Sequence, residues 1–328
     1  MRILVTGAAG FIGSHYVRSV IQGRYPAFAS AQLTALDKLT YSGNLDNLEP
    51  VAGSPRYRFV TGDIADHTLL DEIVPGHDVV VNFAAESHVD RSIEAADAFV
   101  RTNVVGTQRL LDAALRHGVQ RFLQVSTDEV YGSIESGSWT ESSPLQPNSP
   151  YSAAKAAGDL FARAYHRTHG LPVIVTRCSN NFGPYQYPEK VIPLFVTNLI
   201  DGLPVPLYGD GLNVRDWLHV DDHCYGIQIA IERGVPGQIY NIGGGVELTN
   251  RELTQRLLDA MGAGWDAVEM VEDRKGHDRR YSLADNRLRA LGYTPRHGLD
   301  DGGLDDTVRW YRQNEAWWRP LKKDLGVR

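Results

Sequence analysis

Two cysteines in 328 residues, Cys178 and Cys224, are too few and too far apart for a disulfide framework or a thiolate metal site. A reducing compartment is expected, and no metal. Lysine and arginine number 33 against 40 aspartates and glutamates, which leaves a formal net charge of −7 and no basic run. No nucleic-acid partner is expected from that balance. No stretch reaches the ~18 apolar residues that a membrane span needs. The apolar start of the chain is interrupted between Gly7 and Gly13, before an h-region of secretory length can form. Repeats and low-complexity tracts are lacking as well. The expectation is a cytoplasmic protein with no membrane partner. Apolar residues at 42% and charged residues at 22% are ordinary for a soluble enzyme. The length allows a sizeable core in one large or two unequal domains.

Residues 2–6 (Arg-Ile-Leu-Val-Thr) read as a strand, and Val17, Val20 and Ile21 carry a helical pattern. Between them stand Gly7, Gly10 and Gly13. Such a triplet is either a plain turn or a dinucleotide cradle. In a strand-turn-helix context the second reading is favoured, with a pyrophosphate on the helix N-terminus. The spacing is G-x-x-G-x-x-G. A second strand, 33–36, ends in Asp37, 24 residues beyond Gly13. An acid there accepts hydrogen bonds from ribose hydroxyls and repels a 2′-phosphate, so NAD is expected over NADP.

A third strand, 57–61, leads to Gly62, Asp63 and Ile64, placed to meet an adenine. A fourth, 78–82, leads to Phe83, Ala84 and Ala85, small enough to let a ribose lie on the backbone. His88 is left without a role. Residues 96–117 read as one long helix ended by Gly118, and a sixth strand covers 172–177. The fold expected is α/β: a Rossmann-type, doubly wound parallel sheet over residues 1–180, with a smaller α/β substrate domain over 181–328. The boundary is soft and the chain is expected to cross between the two parts. Residues 304–318 read as a terminal helix whose tryptophans pack rather than stack on a ligand.

The fifth strand, 121–125, runs into Ser126-Thr127-Asp128-Glu129-Val130-Tyr131-Gly132. Ligands of open α/β sheets bind outside the carboxyl ends of the strands, so a hydroxyl and two carboxylates meet the ligand there. Tyr151 and Lys155, four apart, share one helix face. A phenol beside an ammonium can have its pKa lowered and act as a base. Alternation along a strand would point Asp128 and Glu129 apart, so the chain must turn into a loop at that point. Between 271 and 281 lie Arg274, Lys275, His277, Arg279 and Arg280, either a solvated surface or a diphosphate clamp.

Together, residues 6–14, Asp37, the Tyr151-Ser152-Ala153-Ala154-Lys155 run and Arg215-Asp216-Trp217-Leu218-His219-Val220 resemble the extended short-chain dehydrogenase/reductases that act on nucleotide sugars. Residues 126–132, 37–44 and 84–92 resemble the dTDP-glucose 4,6-dehydratases within them. Sugar epimerases usually carry small or hydroxyl residues where this chain has Asp128 and Glu129. Ala8 stands where the family often has glycine.

The resemblance implies conversion of dTDP-glucose to dTDP-4-keto-6-deoxyglucose and water, with NAD recycled. It implies catalytic roles for Thr127, Asp128, Glu129, Tyr151 and Lys155. It implies cofactor contacts from Gly7, Gly10, Phe11, Ile12, Gly13, Asp37, Lys38, Leu39, Thr40, Asp63, Ile64, Phe83, Ala84, Ala85, Ser87, Thr102 and Asn181, besides Tyr151 and Lys155. Substrate contacts are implied for Ser87, Thr127, Asn180, Glu189, Lys190, Pro206, Leu207, Tyr208, Arg215, Asn250, Arg274 and His277. A homodimer is implied, through the segments 96–117 and 151–169. The competing readings are a 4-epimerase of the same fold and a non-enzymatic NAD-sensing protein.

Overall fold

The first strand, β1 (Arg2–Thr6), is buried from Ile3 to Thr6, so both of its faces need cover. The same holds for β2 (Gln32–Asp37), β4 (Val79–Asn82), β5 (Arg121–Thr127) and β6 (Val173–Cys178), while β3 (Tyr57–Thr61) is partly open at the edge. A computed structural model describes residues 1–273 and 276–324. The later strands are β7 (Asn180–Phe182), β8 (Val205–Tyr208), β9 (Val214–His219), β10 (Ile239–Ile242), β11 (Glu247–Thr249) and β12 (Val268–Val271).

Seven strands form one sheet in the order β10-β6-β5-β4-β1-β2-β3. Every pairing in it is parallel. The chain runs outward from β1 through β2 to β3, then returns to lay β4 on the other side of β1. That reversal opens a crevice at the carboxyl ends of β1 and β4, where ligands of such sheets bind. Register brings the strand ends level: Thr6 faces Asn82, and Thr127 faces Cys178. The helix Phe11–Ile21 and the helix Val220–Arg233 cover one face, through Tyr16, Val17, Ile227 and Ala230. Leu110, Leu111 and Ala162 cover the other.

The chain does cross back beyond residue 180. β10 and the helix Val220–Arg233 belong to the layers of the parallel sheet. The rest of the C-terminal part packs around Phe195, Trp217, Leu257, Tyr311 and Trp318. It carries a three-stranded sheet, β11-β9-β7, and a pair, β12-β8.

Two helices differ from expectation. The expected helix 96–117 is α-helical only at Asp97–Phe99 and Thr107–Arg116, with a π-helical turn at Val100–Gly106 between them. A π turn widens the helix by one residue and is a frequent companion of functional sites. Here it presents Asn103, whose amide both accepts from the Glu86 N–H (2.9 Å) and donates to the Glu86 carbonyl (3.0 Å). Periodicity cannot reveal that shift, because the apolar pattern is continuous across it. The expected helix 304–318 is two helices, Gly303–Gln313 and Glu315–Asp324, because Asn314 leaves helical geometry (φ −120°, ψ 41°). Trp317 and Trp318 pack with this core.

Candidate active site

One cleft runs along the carboxyl ends of β1, β2, β4, β5 and β6. At its first end the glycine turn is shaped by sterics. Gly7 has φ +65°, and a Cβ on it would lie 2.5 Å from the Ala84 nitrogen. A Cβ on Gly13 would lie 2.1 Å from the Gly7 carbonyl oxygen. A Cβ on Gly10 would meet only the Gly7 oxygen, at 3.4 Å, so the space before Gly10 is open to a ligand. The helix Phe11–Ile21 begins there with no side-chain cap and no acid in its first turn. Its N–H groups and dipole suit an anion.

Asp37 accepts from the Ala9 N–H (2.8 Å) and the Leu39 N–H (2.8 Å). Burial raises its pKa against the pull of those backbone donors. The carboxylate also lines the cleft, where it can accept from a ligand's hydroxyls. Lys38, Thr40, Asp63, Ile64, Phe83, Ala84, Ala85, Ser87 and Thr102 also line the cleft, with Phe11 and Ile12. Burial pushes the Asp63 carboxyl up, but the Ala65 N–H and Lys38 (2.9 Å) together hold it below its ordinary value. Leu39 packs its side chain against the core and gives its N–H to Asp37.

At the other end, β5 continues through Thr127 and the chain then turns into a 3-10 helix, Asp128–Tyr131. The turn releases Asp128 and Glu129 from strand alternation, and both line the cleft. Thr127 caps the turn: its hydroxyl accepts from the Glu129 N–H (3.3 Å) and donates to Asp128 Oδ1 (3.2 Å). The same hydroxyl lies close enough to Tyr151 to favour its phenolate, against the larger effect of burial. Asp128 is 2% exposed. Burial first, then the Glu129 charge, raises its pKa well above the carboxylate range. Desolvation is the larger of the two causes.

Tyr151 stands in the first turn of the helix Pro150–His169, whose start is held by a capping box between Ser149 and Ser152. Its pKa differs from the expectation. Burial and the Glu129 charge raise the phenol well above its ordinary value. Lys155 donates its ammonium to the Val125 carbonyl (2.6 Å), and burial lowers its own pKa. A desolvated site penalises both charged forms, which a spacing of four residues does not reveal.

Asn180, Asn181, Glu189 and Lys190 line the mouth. Buried Ser126 Oγ, Asp128 Oδ2 and Asn180 Oδ1 have no hydrogen-bond partner among the described residues. Polar atoms buried in that state suit a polar ligand. Cys178 also lines the cleft and was missed. It ends β6 level with Thr127, a strand-end position that register alone makes legible. Burial pushes its thiol up to about 12. Arg91, Tyr41 and Tyr187 were missed too, since their meeting is purely tertiary.

Other expected substrate contacts lie beyond the cleft wall, in the C-terminal part. Pro206, Leu207 and Tyr208 form β8, paired with β12. Tyr208 meets His277 edge-on at 6.4 Å, and His277 pairs with Asp273 (2.6 Å). Buried Arg215 donates to the Val214 and Asp278 carbonyls and lies over the Tyr281 ring. Its charge is felt at Asp128. Asn250 begins the helix Asn250–Met261. Arg274 lies outside the described residues. Among the described residues, His219, Asp221 and His297 come within metal-ligating distance of one another. Arg24 and His15 already occupy that aspartate, so the cluster is a hydrogen-bonded contact between elements.

A family model described as GDP-mannose 4,6 dehydratase matches residues 4–304. A dTDP-glucose 4,6-dehydratase of Streptomyces niveus is 61% identical over 323 residues, which is 98% of this chain and 96% of the relative. The structure of DesIV, a dTDP-glucose 4,6-dehydratase from Streptomyces venezuelae with NAD and dTDP bound, matches with a TM-score of 0.97 at 62% identity, over 98% of this chain and 100% of that one. The dTDP-glucose 4,6-dehydratase of Bacillus anthracis, in complex with NAD, matches with a TM-score of 0.90 at 48% identity, over 98% and 100%.

Proposed function

The chain belongs to the GDP-mannose 4,6 dehydratase family, and on that footing we propose that it converts dTDP-glucose to dTDP-4-keto-6-deoxyglucose and water. It is an NAD-dependent hydro-lyase. The observation that carries this reading is the acid pair at the end of β5, with Asp128 buried and its pKa raised beside half-buried Glu129, in one cleft with Tyr151 and the glycine turn. Gly7, Gly10, Gly13 and Asp37 hold the adenosine and pyrophosphate; Lys155 holds the nicotinamide ribose. The chemistry supplied by bound NAD is uptake of hydride from C4 of the sugar and its return to C6.

Tyr151 takes the proton of the C4 hydroxyl while Thr127 orients that oxygen. Burial holds the phenol protonated in the free chain, so Tyr151 acts as a base only once positive charge enters the cleft. The new ketone acidifies C5. Glu129 removes the C5 proton, and Asp128 protonates the C6 hydroxyl, which leaves as water. Glu129 returns its proton to C5 in the last step. Over the cycle Tyr151 gains one proton and Asp128 loses one. The Thr127 hydroxyl, bonded to Asp128 and close to Tyr151, provides a path between them. Ser87, Asn180, Glu189 and Lys190 hold the hexose, and the C-terminal residues around Tyr208, Arg215 and His277 hold the nucleotide. The division at residue 180 is part of this proposal.

A second copy of the chain is the proposed protein partner. Val100 and Val105 on the π turn and Leu160 and Phe161 on the helix Pro150–His169 are apolar and exposed on neighbouring helices. The site of action proposed is the cytoplasm; among the described residues no helix is long and apolar enough to cross a membrane.

The test is incubation of the purified protein with dTDP-glucose and no added NAD, followed by mass spectrometry of the sugar nucleotide. A product lighter by one water, with no net NADH, is the expected outcome. A product of unchanged mass with the galactose configuration would replace this reading with the epimerase. No product even with added NAD would leave only the sensor.

A further inference from the structure

Three loops from distant parts of the chain meet at the mouth of the cleft. The loop after β2 brings Thr40, Tyr41 and Ser42. The loop after β4 brings Ser87 and, on the short helix Val89–Glu94, Arg91. The segment before the helix Val191–Ile200 brings Tyr187, Glu189 and Lys190. Each contributes side chains to the cleft wall. Their contacts with one another centre on Glu189, which Arg91 and, at 3.6 Å, His88 approach from the second loop.

Arg91 lies over the Tyr41 ring, with its carbon 3.8 Å from the centroid. It also donates from Nη2 to Glu189 Oε2 (3.4 Å). Tyr41 lies close to the same Glu189, whose charge helps raise the phenol's pKa, and receives the edge of the Tyr187 ring at 5.6 Å. Lys190 donates to the Ser87 carbonyl (3.1 Å) and ties two of the loops a second time. The Glu189 side chain is 8% exposed. Exposed ion pairs are worth little, but this one ends on a desolvated carboxylate and is backed by a stacked ring.

We propose that Arg91 is a positioning residue for cofactor retention: by joining Tyr41 to Glu189 it ties the three loops across the mouth and keeps NAD in the cleft between turnovers. This rests on the NAD-recycling reaction above. A reaction that returns hydride to the molecule that gave it gains from a cofactor that never leaves. The tie lies at the rim, so it governs exit without touching the reacting atoms.

The experiment measures NAD bound per chain after gel filtration, and the NAD off-rate by chase with excess labelled NAD, for the parent, Arg91→Ala, Arg91→Lys and Tyr41→Leu. Thermal melts check that each variant is folded. Arg91→Ala and Tyr41→Leu are expected to raise the off-rate about tenfold, since affinity changes of this kind fall on dissociation. Arg91→Lys, which keeps the charge and loses the planar stack, is expected to fall between. Dehydration by Arg91→Ala is expected to be restored by saturating NAD. An off-rate for Arg91→Ala within about twofold of the parent would overturn the proposal. So would lost activity that saturating NAD does not restore, which would make Arg91 a substrate contact. The off-rate is read without sugar present, so its outcome is independent of which sugar nucleotide the enzyme dehydrates.

Discussion

As the proposed general acid, Asp128 needs a raised pKa, and its surroundings raise it. It is buried, its Oδ2 finds no hydrogen-bond partner among the described residues, and Glu129 adds negative charge nearby. The nearby Arg215 pulls the other way without prevailing. Because its folded pKa is raised, the native chain binds more protons than the unfolded one once the pH passes the ordinary carboxylate range. Stability therefore falls as pH rises from there towards the raised value. Asparagine has the same shape and carries no such penalty. Asp128→Asn is expected to melt higher than the parent at neutral and mildly alkaline pH, with the difference vanishing below about pH 4. Its dehydration rate is expected to fall by about 10²–10⁴, the usual worth of a general acid. Melts across pH and product assays check both. Equal melting at all pH values would mean that Asp128 is ionised in the fold.

At the scale of elements, the helix Pro150–His169 positions Tyr151, the proposed base. Ser149 Oγ accepts from the Ser152 N–H (3.1 Å), and Ser152 Oγ accepts from the Ser149 N–H (3.0 Å). Pro150 opens the first turn, where its missing N–H costs nothing. Tyr151 follows at once, and its own N–H is taken by Ser92 Oγ (3.2 Å). Losing the cap frees that first turn. Ser149→Ala is expected to cost about 1 kcal/mol and to lower the melting temperature by about 2 °C, read by calorimetry. An unchanged melt would show that Ser92 and the flanking packing suffice. The π turn works in the same way on the opposite wall, since Asn103 fixes the Glu86 backbone beside the cleft.

For the whole molecule, the same helices that carry Tyr151 and Asn103 inward expose Leu160, Phe161, Val100 and Val105 outward. Leu160 is 53% exposed. If two copies meet there, a buried charge at its centre is not tolerated. Leu160→Glu is expected to convert a dimeric parent into monomers in sedimentation velocity. A parent that sediments as a monomer, or a variant that stays dimeric, would remove this face as the interface.

Much of the fold and the core of the site were legible in the chain. The glycine turn, Asp37, the acid pair and the Tyr151/Lys155 spacing depend on residues close in sequence, and local sterics and periodicity carry that information. The strands read as strands because both faces are buried, which leaves apolar runs. Tertiary structure decided the rest. Desolvation, more than the neighbouring carboxylate, raises Asp128, and it raises Tyr151 where spacing to Lys155 suggested the reverse. The return of β10 to the first sheet, the arrival of Cys178 level with Thr127 and the meeting of Tyr41, Arg91 and Glu189 join residues far apart in the chain. Burial and long-range contact belong to the packed assembly, so no pattern of neighbouring residues encodes them.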